Sequence, residues 1–468
     1  METEVKRYPE ELLGFLNACP SVYHAVENLS NRLANAGFRH LSEEERYDLA
    51  PGDKCFVTRN GSSLIAFAIP KTPDPAFRVV AAHGDSPMLK LKPQPELREN
   101  GFLRLNAEAY GGGLWYTWLD RPLTLAGRVL GLEGGKLCER LVAPDRDLLL
   151  IPSLAIHMDH SANENLQLNP QRHLLPVLGL LDAGVPVSGV RASSAGKMPG
   201  IGSLPLSEKL PAVEGGSAPD AAVSPFFRLL SEETGFAPED ILSYDLFLAN
   251  RQKAVQWGAD GEFISGPRID NLECTFAAFH GFLEANGRDI SVFCVFDNEE
   301  VGSATRQGAA ATFLRDNLQR IAEELGMSRE GYLRAVARGF MVSEDNAHSI
   351  HPGWPEKADP ICRPLPNKGI VLKHHAGQRY ATDAVSAAVF KRICRLHDIP
   401  WQEFANRSDM RGGSTLGNIS STRVPLRTVD IGLAQLAMHS AFETAGTKDA
   451  AWMEVFAKVF YEIESLGT

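Results

Sequence analysis

The chain alternates between stretches with a helical period and short runs of apolar residues. Between residues 20 and 37, Val22, Val26, Leu29 and Leu33 recur at helical spacing and Gly37 stands where such a helix would stop. The polar opening of the chain leads into an amphipathic helix of its own. Two compact apolar runs bounded by glycine and proline, residues 63–69 (SLIAFAI) and 77–82 (FRVVAA), predict buried strands. From residue 91 to about 248 the texture changes to short alternating segments such as 123–130 and 136–142, separated by turn dipeptides, which predicts a β-rich region. Within it, residues 192–225 are heavy in Gly, Ser, Ala and Pro and read as a long loop. Beyond residue 248 strand and helix patterns alternate again. Residues 290–296, 339–343 and 429–432 read as strands, and 309–326 and 381–397 as helices. The closing helix carries Trp452, Val455, Phe456, Val459, Phe460 and Ile463 on one face. Strands alternating with helices predict an α/β fold, with a mainly parallel central sheet covered by helices on both faces. The expected organisation is a first part of that domain over residues 1–92, a β-rich insertion over 93–247, and the second part over 248–468.

Composition narrows the partners. An apolar content of 44% with 22% charged residues is ordinary for a globular chain. The balance of 47 basic against 58 acidic residues gives a net charge of -11, with no basic block to act as a local exception, so neither nucleic acid nor an anionic membrane is an expected partner. The first residues lack the continuous apolar run of a secretory signal, and the most apolar later stretch, 173–190, is broken by Pro176, Asp182 and Pro186. Seven scattered cysteines without a CxxC pair suit free thiols in a reducing compartment, and a cytoplasmic location is expected.

The candidate chemistry lies where strands stop. Residues 292–303, VFCVFDNEEVGS, are an apolar run that breaks into Asp297, Asn298 and the adjacent acids Glu299 and Glu300. The run at 77–82 ends at His83 and Asp85, and another ends at Asp345 in SEDNAH; Asp270 in RIDN and His439 in LAMHS fall in neighbouring loop-like contexts. Open α/β sheets bind ligands beyond the carboxyl ends of their strands. Singly, each residue has an ordinary explanation as a turn former or a solvated helix start. Together they supply the nitrogen and oxygen ligands that a pair of zinc-like ions needs, with a carboxylate left to accept a proton from water. HExxH is absent, GGSTLG is not a GxSxG elbow, and residues 189–198 lack the spacing of a phosphate loop. The residues alone leave open an aminopeptidase, a dinuclear amidohydrolase or deacetylase acting on a small amide, and a binding protein without catalysis.

The motifs AHGDSP, RIDN, DNEEVGS, SEDNAH and VDIG followed by QLAMHS occur in this order across nearly the whole chain. In this the chain resembles the aspartyl aminopeptidase family of dinuclear zinc exopeptidases, which includes vacuolar aminopeptidase I. The resemblance implies hydrolysis of the N-terminal residue, preferably Asp or Glu, from peptides with a free N-terminus. It implies two zinc ions per subunit, for which cobalt or manganese can substitute. It places His83 and Asp345 on one ion, Glu300 and His439 on the other, and Asp270 between them, with Glu299 as general base and Asp85 orienting His83. It also matches His157, in HMDH, to a histidine that reaches a neighbouring subunit's active site in a tetrahedral dodecamer, and His348, Lys368, Arg379 and Tyr380 to positions near the substrate. The chain departs from the family at Gly412-Gly413-Ser414-Thr415 and Gly417-Asn418, where Cys-Gly-Ser-Thr and Gly-Pro are usual. That departure spares the ligand set and bears on the preference for acidic side chains.

Overall fold

The computed structural model describes residues 2–181 and 224–467. Most of the predicted loop at 192–225 lies outside them. Nine strands form the central sheet, in the spatial order Arg39–Leu41, Lys54–Arg59, Ser63–Ala68, Ile290–Phe296, Phe77–His83, Phe340–Glu344, Arg427–Gly432, Ile370–His374 and Trp401–Ala405. The four central members, Ile290–Phe296 through Arg427–Gly432, are mutually parallel. Antiparallel pairs flank them on each side, at Ser63–Ala68 and at Ile370–His374.

Both faces of the central strands are apolar because both are covered. Along Phe77–His83, Val80 packs into one core with the helices Glu2–Ala18, Val22–Asn35, Ile269–Glu284, Ala384–Leu396 and Asp449–Glu462. Its neighbours Val79 and Ala81 point the other way, into a core shared with Phe313–Glu324 and Arg329–Arg338. This is the predicted α/β architecture, and the strand 290–296 and the helix around Val22 to Leu33 form where the pattern placed them.

Three expectations shift. The helix predicted over 309–326 begins only at Phe313, because residues 303–312 form turns beneath the Glu299 loop. The closing helix buries Met453, Phe456, Ala457 and Phe460 while Val455 is exposed. Its buried face is set by close packing on Ile269–Glu284, where a Cβ at Gly281 would lie 2.6 Å from that of Ala457. A five-stranded sheet, Val255–Trp257, Phe263–Gly266, Glu443–Gly446, Ala434–Leu436 and Ala347–His348, escaped the sequence reading because its strands are two to four residues long.

The β-rich segment forms an antiparallel sheet of six strands: Lys136–Val142, Leu123–Glu133, Ile241–Asn250, Met88–Glu99, Phe102–Tyr110 and Val177–Leu180. It encloses a third core around Leu105, Leu125, Phe226 and Leu246.

Candidate active site

His83 is the last residue of its strand, and Asp345 directly follows Phe340–Glu344. Glu299 and Glu300 occupy a single 3-10 turn just after Ile290–Phe296, bracketed by Asn298 at φ 61° and Gly302 at φ 94°. Asparagine and glycine are the residues that tolerate this left-handed conformation, so the sequence folds the acids back over the sheet edge. Asp270 sits at an irregular first turn of Ile269–Glu284, with φ −79° and ψ 108°. His439, at φ 67°, lies in the turn between two strands of the small sheet. That small sheet joins Phe263–Gly266, which leads to Asp270, with Glu443–Gly446, which follows His439.

These side chains meet in a cleft of about 460 Å³, whose wall includes His83, Asp270, Glu299, Glu300, Asp345 and His439. His83 Nε2 is 3.7 Å from Asp270 Oδ1 and 3.5 Å from Asp345 Oδ1. His439 Nε2 is 3.3 Å from Asp270 Oδ2 and 3.4 Å from Glu300 Oε2. Asp270 thus presents one oxygen to each of two groups, His83 with Asp345 and His439 with Glu300. Glu299 faces His83 and Glu300 in a third grouping.

So many buried acids disturb one another. Burial raises Glu299 to about 8, with His83 opposing and the carboxylates of Asp345, Asp85 and Asp270 adding to the rise. Burial, then Asp270, drives Glu300 well above its ordinary value. His439 is raised to about 10 against the effect of burial, by Asp270 and Glu300. Burial pushes Asp345 upward, but Lys373 and His83 win and hold it below its usual range. Lys373 Nζ approaches Asp345 Oδ2 at 3.3 Å.

A divalent cation fits this arrangement. Asp270 Oδ1 and Glu300 Oε1 are buried with no hydrogen-bond partner, and unpaired buried carboxylate oxygens are costly unless a positive charge faces them. The donor set is imidazole nitrogen and carboxylate oxygen, the ligand types of catalytic zinc.

Two further carboxylates hold these residues in place. Asp85 accepts the Glu299 N–H on Oδ1 and the Glu300 N–H on Oδ2, both at 3.1 Å, while His83 Nδ1 lies 3.1 Å from the Asp85 carbonyl oxygen. Glu443 accepts the Asp270 N–H at 3.0 Å and the His439 N–H at 2.6 Å. Glu443 and Lys373 were missed by the sequence reading. Lys373 had a signal, a lone cation inside the apolar strand IVLKH, whereas nothing local marks Glu443.

The remaining sequence candidates separate. His348 and Tyr380 line the cleft beside Phe404, Ser414, Thr415 and Met438. Arg379 is exposed and outside that wall, donating to the Gly412 carbonyl at 3.3 Å. Lys368 is also outside it, flanked by backbone N–H groups of Asn367 and Gly369 that bind the carboxylate of Asp449. His157 is exposed on the β-rich segment and does not line its own chain's cleft. Leu154, Ile156 and Met158 around it are exposed at 58%, 44% and 74%.

Imidazoles and carboxylates converging at the carboxyl edge of a doubly covered parallel sheet define a metal-dependent hydrolase on an α/β frame. Residues 15–461 match the model of the aminopeptidase I zinc metalloprotease (M18) family, and the chain belongs to that family, the zinc-dependent aminopeptidases. It is 38% identical over 469 residues to a probable M18 family aminopeptidase 2 of Clostridium acetobutylicum, covering 99% of this chain and 100% of the relative. It is 37% identical over 474 residues to aspartyl aminopeptidase 1 of Schizosaccharomyces pombe, covering 99% of this chain and 96% of the other. Its fold is similar to that of the S. cerevisiae mApe1 dodecamer, with a TM-score of 0.76, 25% identity, and coverage of 97% and 96% of the two chains.

Proposed function

We propose that this aminopeptidase removes single N-terminal residues, preferably Asp or Glu, from peptides through a dinuclear zinc site. The observation that carries the reading is that Asp270 directs one oxygen to each of two ligand groups, His83 with Asp345 and His439 with Glu300. These groups would hold zinc ions, which when bound would supply Lewis-acid polarisation of the scissile carbonyl and a lowered pKa for water. Glu299 takes the proton of the attacking water and passes it to the leaving amine. The free N-terminal amine anchors at the metal site and its carboxylates, which restricts the enzyme to chain ends. Lys373 and His348 lie in the same wall, and the Lys373 ammonium, which pairs with Asp345 at 3.3 Å, favours an acidic first side chain.

We further infer a cytoplasmic homo-oligomer, the tetrahedral dodecamer of the family, divided at residues 1–92, 93–247 and 248–468. The exposed apolar side chains around His157 support a covered position for that loop in the assembly, from which His157 reaches a neighbour's cleft.

The test is a panel of Asp-, Glu- and Leu-anilides beside N-acylated amino acids, assayed before and after chelation and after return of zinc, cobalt or manganese. Activity lost on chelation and restored by metal, acidic residues ahead of leucine, and no turnover of acylated substrates are expected. Equal rates on Leu and Asp substrates would remove the acidic preference, and turnover of an acylated substrate would remove the requirement for a free amine.

A further inference from the structure

The β-rich segment reaches the ligands of its own chain through the residues that follow Phe102–Tyr110. Tyr110 donates its hydroxyl hydrogen to Asp85 Oδ2 at 2.8 Å and accepts from Asn298 Nδ2 at 2.9 Å. Asp85 holds the backbone N–H groups of Glu299 and Glu300, and Asn298 is the left-handed residue that begins their turn. Asn298 is held from its other side by Thr305 Oγ1 at 2.8 Å and Gln307 Nε2 at 2.9 Å, both donating to Oδ1. Among the described residues, Tyr110 is therefore the one hydroxyl that ties the carboxylate under the turn to the residue that opens it.

The next residues grip the other ligand loop. Gly111 has φ +76° and passes so close to the turn that a Cβ there would lie 3.2 Å from both Cβ and the carbonyl oxygen of Glu300. The Gly112 carbonyl lies 3.0 Å from His439 Nδ1. A carbonyl only accepts, so Nδ1 carries a hydrogen, and Nε2, the atom that faces Asp270 and Glu300, is the nitrogen left to bind a metal on losing its proton. The Leu114 N–H donates to the His439 carbonyl at 2.9 Å, closing the grip.

We propose that residues 110–114 are a positioning strap through which the β-rich sheet sets the geometry of Glu300 and His439 within the same chain, with Tyr110 as its principal positioning residue. Gly112 lines the cleft, whereas Tyr110 stands outside its wall and acts only through Asp85 and Asn298. This rests on the assignment of Glu300 and His439 as zinc ligands.

Tyr110→Phe removes the hydroxyl and keeps the ring, which packs edge-on against Phe247 at 5.4 Å between centroids. Zinc affinity, read by competition with a chromogenic chelator, is expected to fall by about 10- to 100-fold, the usual cost of losing an outer partner of a ligand. With zinc in excess, kcat should fall while KM stays within about twofold, since ground-state binding is untouched. Tyr244→Phe, which deletes a hydroxyl bound to the Lys92 carbonyl in the same sheet, serves as the control and should change neither zinc affinity nor kcat. A cycle of Tyr110→Phe with Asn298→Gly should be clearly non-additive in zinc affinity, because both act through one network. Zinc affinity within twofold of the parent in Tyr110→Phe, or additive effects in the cycle, would overturn the proposal. Glu300→Gln and His439→Ala separate the two readings: unchanged zinc stoichiometry in those variants removes the ligand assignment itself, whereas a silent Tyr110→Phe beside zinc-deficient ligand variants removes only the strap.

Discussion

Adjacent glutamates with the same side chain are given different surroundings by one tight turn. Glu300 points at Asp270 and His439, with one oxygen buried and unpartnered, while Glu299 faces His83 from the neighbouring direction. Consecutive residues diverge, so a ligand and a proton carrier can be placed next to each other without competing for one position. Glu299→Gln keeps the shape and removes the proposed base. We expect zinc content to be unchanged and kcat to drop by about 10²- to 10⁴-fold, measured by metal analysis and steady-state kinetics on one preparation. Near-normal turnover in that variant would contradict the assignment. The acidic pair is legible in the sequence because it interrupts an apolar run, but its division of labour depends on Asp85, which fixes both backbone N–H groups from more than 200 residues away.

At the scale of elements, the site is made where neighbouring parallel strands end side by side and a small sheet ties the outlying loops to them. Gly432 ends the strand Arg427–Gly432, and a Cβ there would meet the Asp345 carbonyl oxygen at 1.9 Å. Backbone cannot yield as a flexible side chain does, so Gly432→Ala must displace the Asp345 loop. We expect a loss of about 1–3 kcal/mol or more in stability, read by thermal unfolding, together with weakened zinc binding. A variant with parental stability and zinc affinity would mean that this crossing is looser than its geometry indicates. In the central sheet Arg39–Leu41, Lys54–Arg59, Ile370–His374 and Trp401–Ala405 escaped the sequence reading, while Ser63–Ala68, Phe77–His83, Ile290–Phe296, Phe340–Glu344 and Arg427–Gly432 announce themselves as buried apolar runs. Those of the small sheet do not, since a pair such as Ala347–His348 is too short to carry a period and forms only because Ala434–Leu436 lies beside it.

The whole molecule carries the cost of concentrating these charges. Glu299 and Glu443 are each raised to about 8, by burial first. Protons bound by such groups favour the folded state most below their unfolded pKa of about 4.5, and this advantage is lost as pH rises toward the folded value. His439, raised to about 10 by Asp270 and Glu300 against burial, acts in the same direction at higher pH. Asp345 runs the other way, but its contribution disappears only in acid. Metal-stripped protein should therefore melt at a lower temperature near about pH 8.5 than near about pH 6.5, and added zinc should raise Tm more at the higher pH. Equal melting temperatures at the two pH values would argue that the acid cluster is relieved in some other way. Assembly is the other property of the whole. His157→Phe should retain particle size and zinc content yet lose turnover, and unchanged kinetics would return His157 to an ordinary exposed loop.

Periodicity alone determined that strands and helices alternate, that the central strands are buried on both faces, and that a β-rich stretch separates two parts of the alternating pattern. These properties are local, because a period is written in consecutive residues. The ordered motifs pointed to His83, Asp270, Glu299, Glu300, Asp345 and His439; His83, Glu299, Glu300 and Asp345 stand out because they terminate apolar runs, while Asp270 and His439, in loop-like stretches, gained their meaning from the set. Only the tertiary structure decided which of them face one another. It put Lys373 rather than Lys368 in the cleft, set Glu443 beneath two ligand loops at once, and brought Tyr110 and Gly112 to the Glu300 turn and His439. Apart from the Glu443–His439 bond, these depend on contacts between residues far apart in the chain, and no local spacing records a partner that arrives from another sheet.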